Sequence, residues 1–274
     1  MTLKTRNRLF NLLFLASLIS VAIALGMFIL ALLQGTILTP PDLRIPSFIA
    51  RLPFAKTQFV ALMLSFGVII FYVPICFFMI LRYFENTQTS EIIFFTGFLI
   101  GCTTELFRFL TICFGLWQTF SNMLIFSGNI VLFGRTLVPL SFICASLLSN
   151  TDQRQDVERN YIIMITTSVV FAAIIPMNTA KISSTGLVTE GFMFFISIMR
   201  VLLILVAFVS FFIHGIKKNS VEYKSIAVSF IILIFGYSVV ISSDTFVFLI
   251  PGTALLVYGT YRYLKNIHQL YMWA

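Results

Sequence analysis

Glu105 and Arg108, three apart in Thr103-Thr104-Glu105-Leu106-Phe107-Arg108, lie inside an apolar run, and Arg135 and Arg200 lie inside two others. A spacing of three puts the first two on one helix face, where they can pair without another helix. An unpaired charge at a membrane-helix centre costs about 2.5 to 3.5 kcal/mol, so these side chains are expected to face the bundle interior or water. Three arginines against one glutamate leave two positive charges unmatched. Main-chain carbonyls can supply part of the missing partner. Pro139 lacks the N–H that would bond the Arg135 carbonyl and so frees it; Asn129, Gln118, Thr104 and Asp244 are further candidates.

Guanidinium groups grip carboxylate and phosphate at two points. The surplus positive charge therefore predicts a pocket for an anion, whether a carboxylate, a phosphate or a lipid headgroup, formed by Arg108, Arg135, Arg200, Glu105 and Asn129. The plainer reading is polar glue between helices, where hydrophobicity cannot drive association. Counted from the expected outer helix ends, Arg108 and Arg200 fall roughly 13 Å deep, and Glu105 and Arg135 roughly 18 to 20 Å. The four can meet in one layer toward the outer leaflet if their helices adjoin.

Other chemistry lacks its parts. A proton relay needs several carboxylates or histidines in series, and only Glu105 is expected to be deep. His214 and His268 fall at helix ends, as interfacial side chains without a carboxylate or cysteine at ligand spacing, so no metal is expected. There is no Gly-x-Ser-x-Gly turn with a histidine at matching depth and no phosphate-binding glycine loop. Glu105 is the sole candidate base, so neither an enzyme nor a cofactor is predicted.

The elements that must place these residues are membrane helices. A chain of 274 residues that is 59% hydrophobic and 10% charged cannot hide its apolar surface in a water-soluble core. The expected fold is all-α, a single polytopic transmembrane bundle over residues 1–274 with about eight spans, near 10–33, 58–83, 91–117, 122–149, 161–177, 192–216, 225–241 and 246–264. The first run, preceded by Lys4, Arg6 and Arg8, is expected to remain as an anchor rather than be cleaved. Residues 45–54 are expected to lie on the outer surface, residues 150–160 in water, and 178–190 in an outer loop. Pro74 should kink the second span. Asp244, at a turn, reads as a solvated helix cap, and Cys76, Cys102, Cys113 and Cys144 read as small buried hydrophobes.

Charge sets the threading. Eleven of the 18 lysines and arginines fall in segments that this threading puts in the cytoplasm, and four, Arg44, Arg51, Lys56 and Lys181, fall outside. Both termini are therefore expected in the cytoplasm. The net charge of +8 follows this topology, so no nucleic-acid partner is expected. Tyr258, Tyr261, Tyr263, Tyr271 and Trp273 around Arg262 and Lys265 suit a helix leaving the inner interface.

Many helices, minimal loops and a last helix emerging into the cytoplasm are similar in layout to bacterial membrane sensor regions, a likeness of architecture alone. The expectation is a bacterial inner-membrane receptor or regulatory or scaffold subunit. It would bind an anion or lipid headgroup from outside and signal to a protein partner at the cytoplasmic face. A carrier for a small anionic substrate is the alternative, disfavoured by the lack of a second polar layer in the inner half. A membrane enzyme acting on lipid headgroups comes third.

Overall fold

The computed structural model describes residues 2–37, 59–87, 89–116, 121–148 and 157–272. Its helices in chain order are α1 (Leu3–Gln34), α2 (Phe59–Tyr83), α3 (Ser90–Thr103), α4 (Leu106–Cys113), α5 (Ser121–Leu148), α6 (Val157–Ile174), α7 (Met193–Lys217), α8 (Val221–Ser242) and α9 (Phe246–Met272). The fold is an all-α bundle. Residues 45–54, 117–120 and 150–156 lie outside the described residues.

Seven spans are long and apolar enough to cross a bilayer, α3 and α4 together forming one of them. The chain is thus a multi-pass membrane protein. The expected eighth span, α9, is not among these seven, yet it lies antiparallel along α8. Leu233 meets Gly259, and Val239 and Val240 meet Gly252. A Cβ on Gly259 would lie 2.5 Å from the Leu233 nitrogen, so the two backbones touch where only glycine fits. Pro74, Pro139 and Pro251 all sit inside continuous helices.

A second close crossing sets the site. α3 lies against α5 with Gly101 facing Gly134: a Cβ on Gly134 would collide with Thr104 Oγ1 and lie 2.7 Å from the Gly101 carbonyl oxygen. Below it, aromatic rings fill the space between α3, α5, α8 and α9. Phe142 is 4.6 Å from Phe230 and 5.4 Å from Phe98 between ring centroids, and Phe95 is 5.5 Å from Tyr263. Many of the phenylalanines are core residues, while others on α7, such as Phe194 and Phe195, are exposed.

One end of the bundle gathers the start of α1 and the end of α9. Arg6 of α1 donates to the carbonyls of Phe84 and Glu85, just past α2, closing that helix end. Tyr271 near the end of α9 donates to Glu91 at the start of α3. The expected outer loop 178–190 is instead an antiparallel hairpin of β1 (Met177–Ile182) and β2 (Val188–Glu190), in which Met177 pairs with Glu190. Ile182 and Val188 pack with Leu124, which gives the segment its own small apolar core. Its turn is closed by Gly186 at φ 71°, a conformation that favours glycine, and a Cβ there would lie 2.6 Å from Ile112 Cδ1. The tip therefore folds into the bundle, with Thr185 buried.

Gly134→Ala should overpack the α3–α5 crossing and lower stability by about 1–3 kcal/mol. Thermal unfolding of the purified protein in detergent measures this; an unchanged midpoint would contradict the close approach.

Candidate functional site

The expected third span is interrupted where its charge begins. Thr104 (φ −68°, ψ −19°) and Glu105 (φ −63°, ψ −16°) tighten the chain between α3 and α4. Phe107 N–H bonds the Thr104 carbonyl and Arg108 N–H the Glu105 carbonyl, each at 3.1 Å and three residues apart rather than four. Thr104 Oγ1 donates back to the Gly101 carbonyl at 2.7 Å. The turn presents Glu105 to α5 where Gly134 allows the closest approach.

Glu105 serves two arginines. Its Oε2 accepts from Arg108 Nη1 at 2.6 Å and its Oε1 from Arg135 Nε at 3.0 Å. The carboxylate is 1% exposed. Sequence spacing allowed the first contact and the Gly101–Gly134 crossing supplies the second.

Arg108 has little left to give. Its Nε and Nη2 donate to the Thr185 carbonyl at 3.1 and 2.7 Å, and Nη1 also donates to the Ile241 carbonyl at 3.0 Å. Ile241 lies in the last turn of α8, where carbonyls have no helical partner. The guanidinium carbon also sits 4.9 Å from the Phe66 ring centroid. One side chain therefore ties α2, α4, the hairpin tip and the end of α8 together.

Arg135 is held differently. Its bond to Glu105 is its only hydrogen bond among the described residues, and its side chain is 12% exposed. The two terminal nitrogens are free of protein partners among those residues. Arg200 does not join Glu105. Its Nη2 donates to Glu190 Oε1 on β2 at 2.6 Å, while Arg200 Nε and Glu190 Oε2 are buried without a partner among the described residues. The expected ratio of three arginines to one glutamate is corrected to three against two, leaving a surplus of one positive charge.

The other candidates separate. Asn129 Oδ1 is buried with no partner among the described residues. Thr104 is committed to its own turn, and Gln118 lies outside the described residues. Asp244 is half-buried rather than fully solvated, and its Oδ2 accepts from Ser184 Oγ of the hairpin turn at 3.2 Å. Sequence reasoning missed Glu190, and it missed Tyr237, whose buried hydroxyl has no partner among the described residues. The alternation of Val188, Thr189 and Glu190 was the available signal: Val188 and Glu190 are buried and Thr189 is not.

A second buried polar group lies at the opposite end of α3, where none was expected. Glu91 is 0% exposed and accepts from Tyr271 at 2.9 and 2.8 Å and from Ser90 Oγ at 3.2 Å. His214, expected at the interface, is 1% exposed against the Tyr223 ring, with Nε2 unpartnered among the described residues. It sits under the α7–α8 turn rather than on its surface.

No known protein family, curated protein or solved structure matches the chain.

Glu105→Gln would leave Arg108 and Arg135 without a counter-charge in a dry site, at a cost of about 3–5 kcal/mol. Chemical or thermal unfolding would read this as the largest loss among single changes in the cluster; wild-type stability would refute the shared role.

Proposed function

We propose that the protein is a multi-pass receptor or regulatory subunit of a bacterial inner membrane, with the hairpin end facing outward and both termini in the cytoplasm. It binds a small anion or an anionic headgroup from the outer side. The observation that carries this reading is Arg135: a guanidinium oriented by one carboxylate, with its terminal nitrogens unused and partly exposed. Those nitrogens can meet two oxygens of a carboxylate or phosphate in the parallel geometry arginine favours. Arg108 acts as the strut that fixes the hairpin tip over this group, and Arg200 lends its field from α7.

The excess of basic residues at the terminus-bearing end supports the orientation. Signal transmission follows from the links of the site: a shift of Glu105 is carried along α3 to Glu91, which holds the end of α9 through Tyr271. A protein partner reading that end is the implied output. A carrier is the second reading, favoured by Glu91 as a polar group in the inner half. Uptake of the bound anion into proteoliposomes would decide for it.

Phosphate and acetate should raise the unfolding temperature of the wild-type protein, since a ligand binding only the folded state stabilises it. Arg135→Gln should fold and lose that shift, while Arg262→Gln, an exposed change at the other end, should keep it. An Arg135→Gln protein that responds like wild type would remove the proposal.

A further inference from the structure

The unused hydrogen-bonding capacity on α5, α7 and β2 is of two kinds. Donors are left over on Arg135 and on Arg200 Nε, and acceptors on Glu190 Oε2 and Asn129 Oδ1. A site for a simple anion needs only the donors. Glu190 and Arg200 make one contact, Nη2 to Oε1, where an arginine and a carboxylate can form two in parallel. The carboxylate is 5% exposed with one oxygen spoken for and one not. A buried carboxylate oxygen without a donor is costly, so it marks a place for a cationic or N–H-bearing group.

The elements bring these groups to one region. Leu132 of α5, Ala172 of α6 and Ile196 of α7 form one cluster. α5 and α7 run in the same direction from the hairpin end, so Arg135, three residues past Leu132, and Arg200, four past Ile196, lie at similar depth. Asn129 follows Gly128, which is packed against Met177 and Val188, and Met177 is the pairing partner of Glu190.

We infer that this site takes a zwitterionic group: an anionic oxygen on the free nitrogens of Arg135, and a primary ammonium on Glu190 Oε2, with Asn129 Oδ1 as its second acceptor. The inference rests on the reading of Arg135 as an anion contact and adds the ammonium half. Two sources carry such a group. One is a free zwitterion entering from the outer side. The other is the headgroup of an ethanolamine phospholipid, whose chains would lie in the apolar cleft of 430 Å³ between α6 and α7, lined by Phe171, Ile174, Ile175, Phe195, Ile196 and Met199. The rival arrangement is closure of Arg200 and Glu190 into a two-point pair, which satisfies both atoms and leaves nothing for an ammonium.

The full-length protein in phosphatidylcholine nanodiscs distinguishes these by titration with phosphoethanolamine, phosphocholine and glycerol phosphate. Phosphocholine keeps the anion and the positive charge but has no N–H to donate. Phosphoethanolamine should bind roughly tenfold tighter than either, as one charge-assisted hydrogen bond implies. Asn129→Leu, which leaves both ion pairs intact, and Glu190→Gln should each pull the three affinities together without abolishing glycerol phosphate binding. Equal affinities in the wild type would overturn the zwitterion and leave the anion reading standing; no binding of any of the three would overturn both. Adding phosphatidylethanolamine to the nanodiscs reports the source: lost binding of free phosphoethanolamine assigns the lipid headgroup, and undiminished binding assigns the free zwitterion.

Discussion

Guanidinium groups inside a bilayer must be neutralised by hydrogen bonds and counter-charge at short range, because neither water nor hydrophobic association is there to help. Glu105 meets this constraint for two arginines at once, and the hairpin half of the bundle is arranged around that sharing. The tightened turn at Thr104 aims the carboxylate, and the bare backbones of Gly101 and Gly134 let α5 come near enough for Arg135 to reach it. Arg108 then converts the same pairing into a tie between α2, the hairpin tip and the last turn of α8. Its charge is spent on architecture. Arg135 is oriented by the shared carboxylate but not exhausted by it, and the functional reading depends on that difference.

The hairpin is the element that makes its end of the bundle more than a loop. Its tip is pinned by Arg108 through Thr185 and by Asp244 through Ser184, and its last residue, Glu190, supplies the second carboxylate of the cluster. Arg135 meets this framework through Glu105, the carboxylate it shares with Arg108. At the far end of α3 the pairing of Glu91 with Tyr271 offers a second fixed point, so the helix carrying the site is anchored to the helix that ends the described chain.

Helices and their order could be read from the sequence because long apolar runs broken by charge leave few alternatives in a membrane. The pairing of Glu105 with Arg108 was legible for the same reason, since a spacing of three within a helix requires no knowledge of neighbours. The contact of Glu105 with Arg135 depended on which helices adjoin. The glycines that decide this, Gly101 and Gly134, look ordinary in an apolar run. Residues 178–190 gave a loop reading because Pro176, Asn178 and Gly186 speak of turns, while the two-residue alternation that buries Val188 and Glu190 is too short to stand out. Glu190 was consequently lost as the partner of Arg200. His214 was placed at an interface because helix ends usually are surfaces, and Glu91 was read only as the start of a span; both are buried.

The difference between the two arginines that share Glu105 can be read without changing either. Folded protein in nanodiscs is treated with phenylglyoxal, which modifies accessible guanidinium groups, and each site is followed by peptide mass spectrometry with and without phosphate. Arg135 should acquire the adduct, phosphate should slow it, and Arg108 should stay unmodified until the protein is unfolded. Equal modification of both arginines, or none at Arg135, would contradict the account.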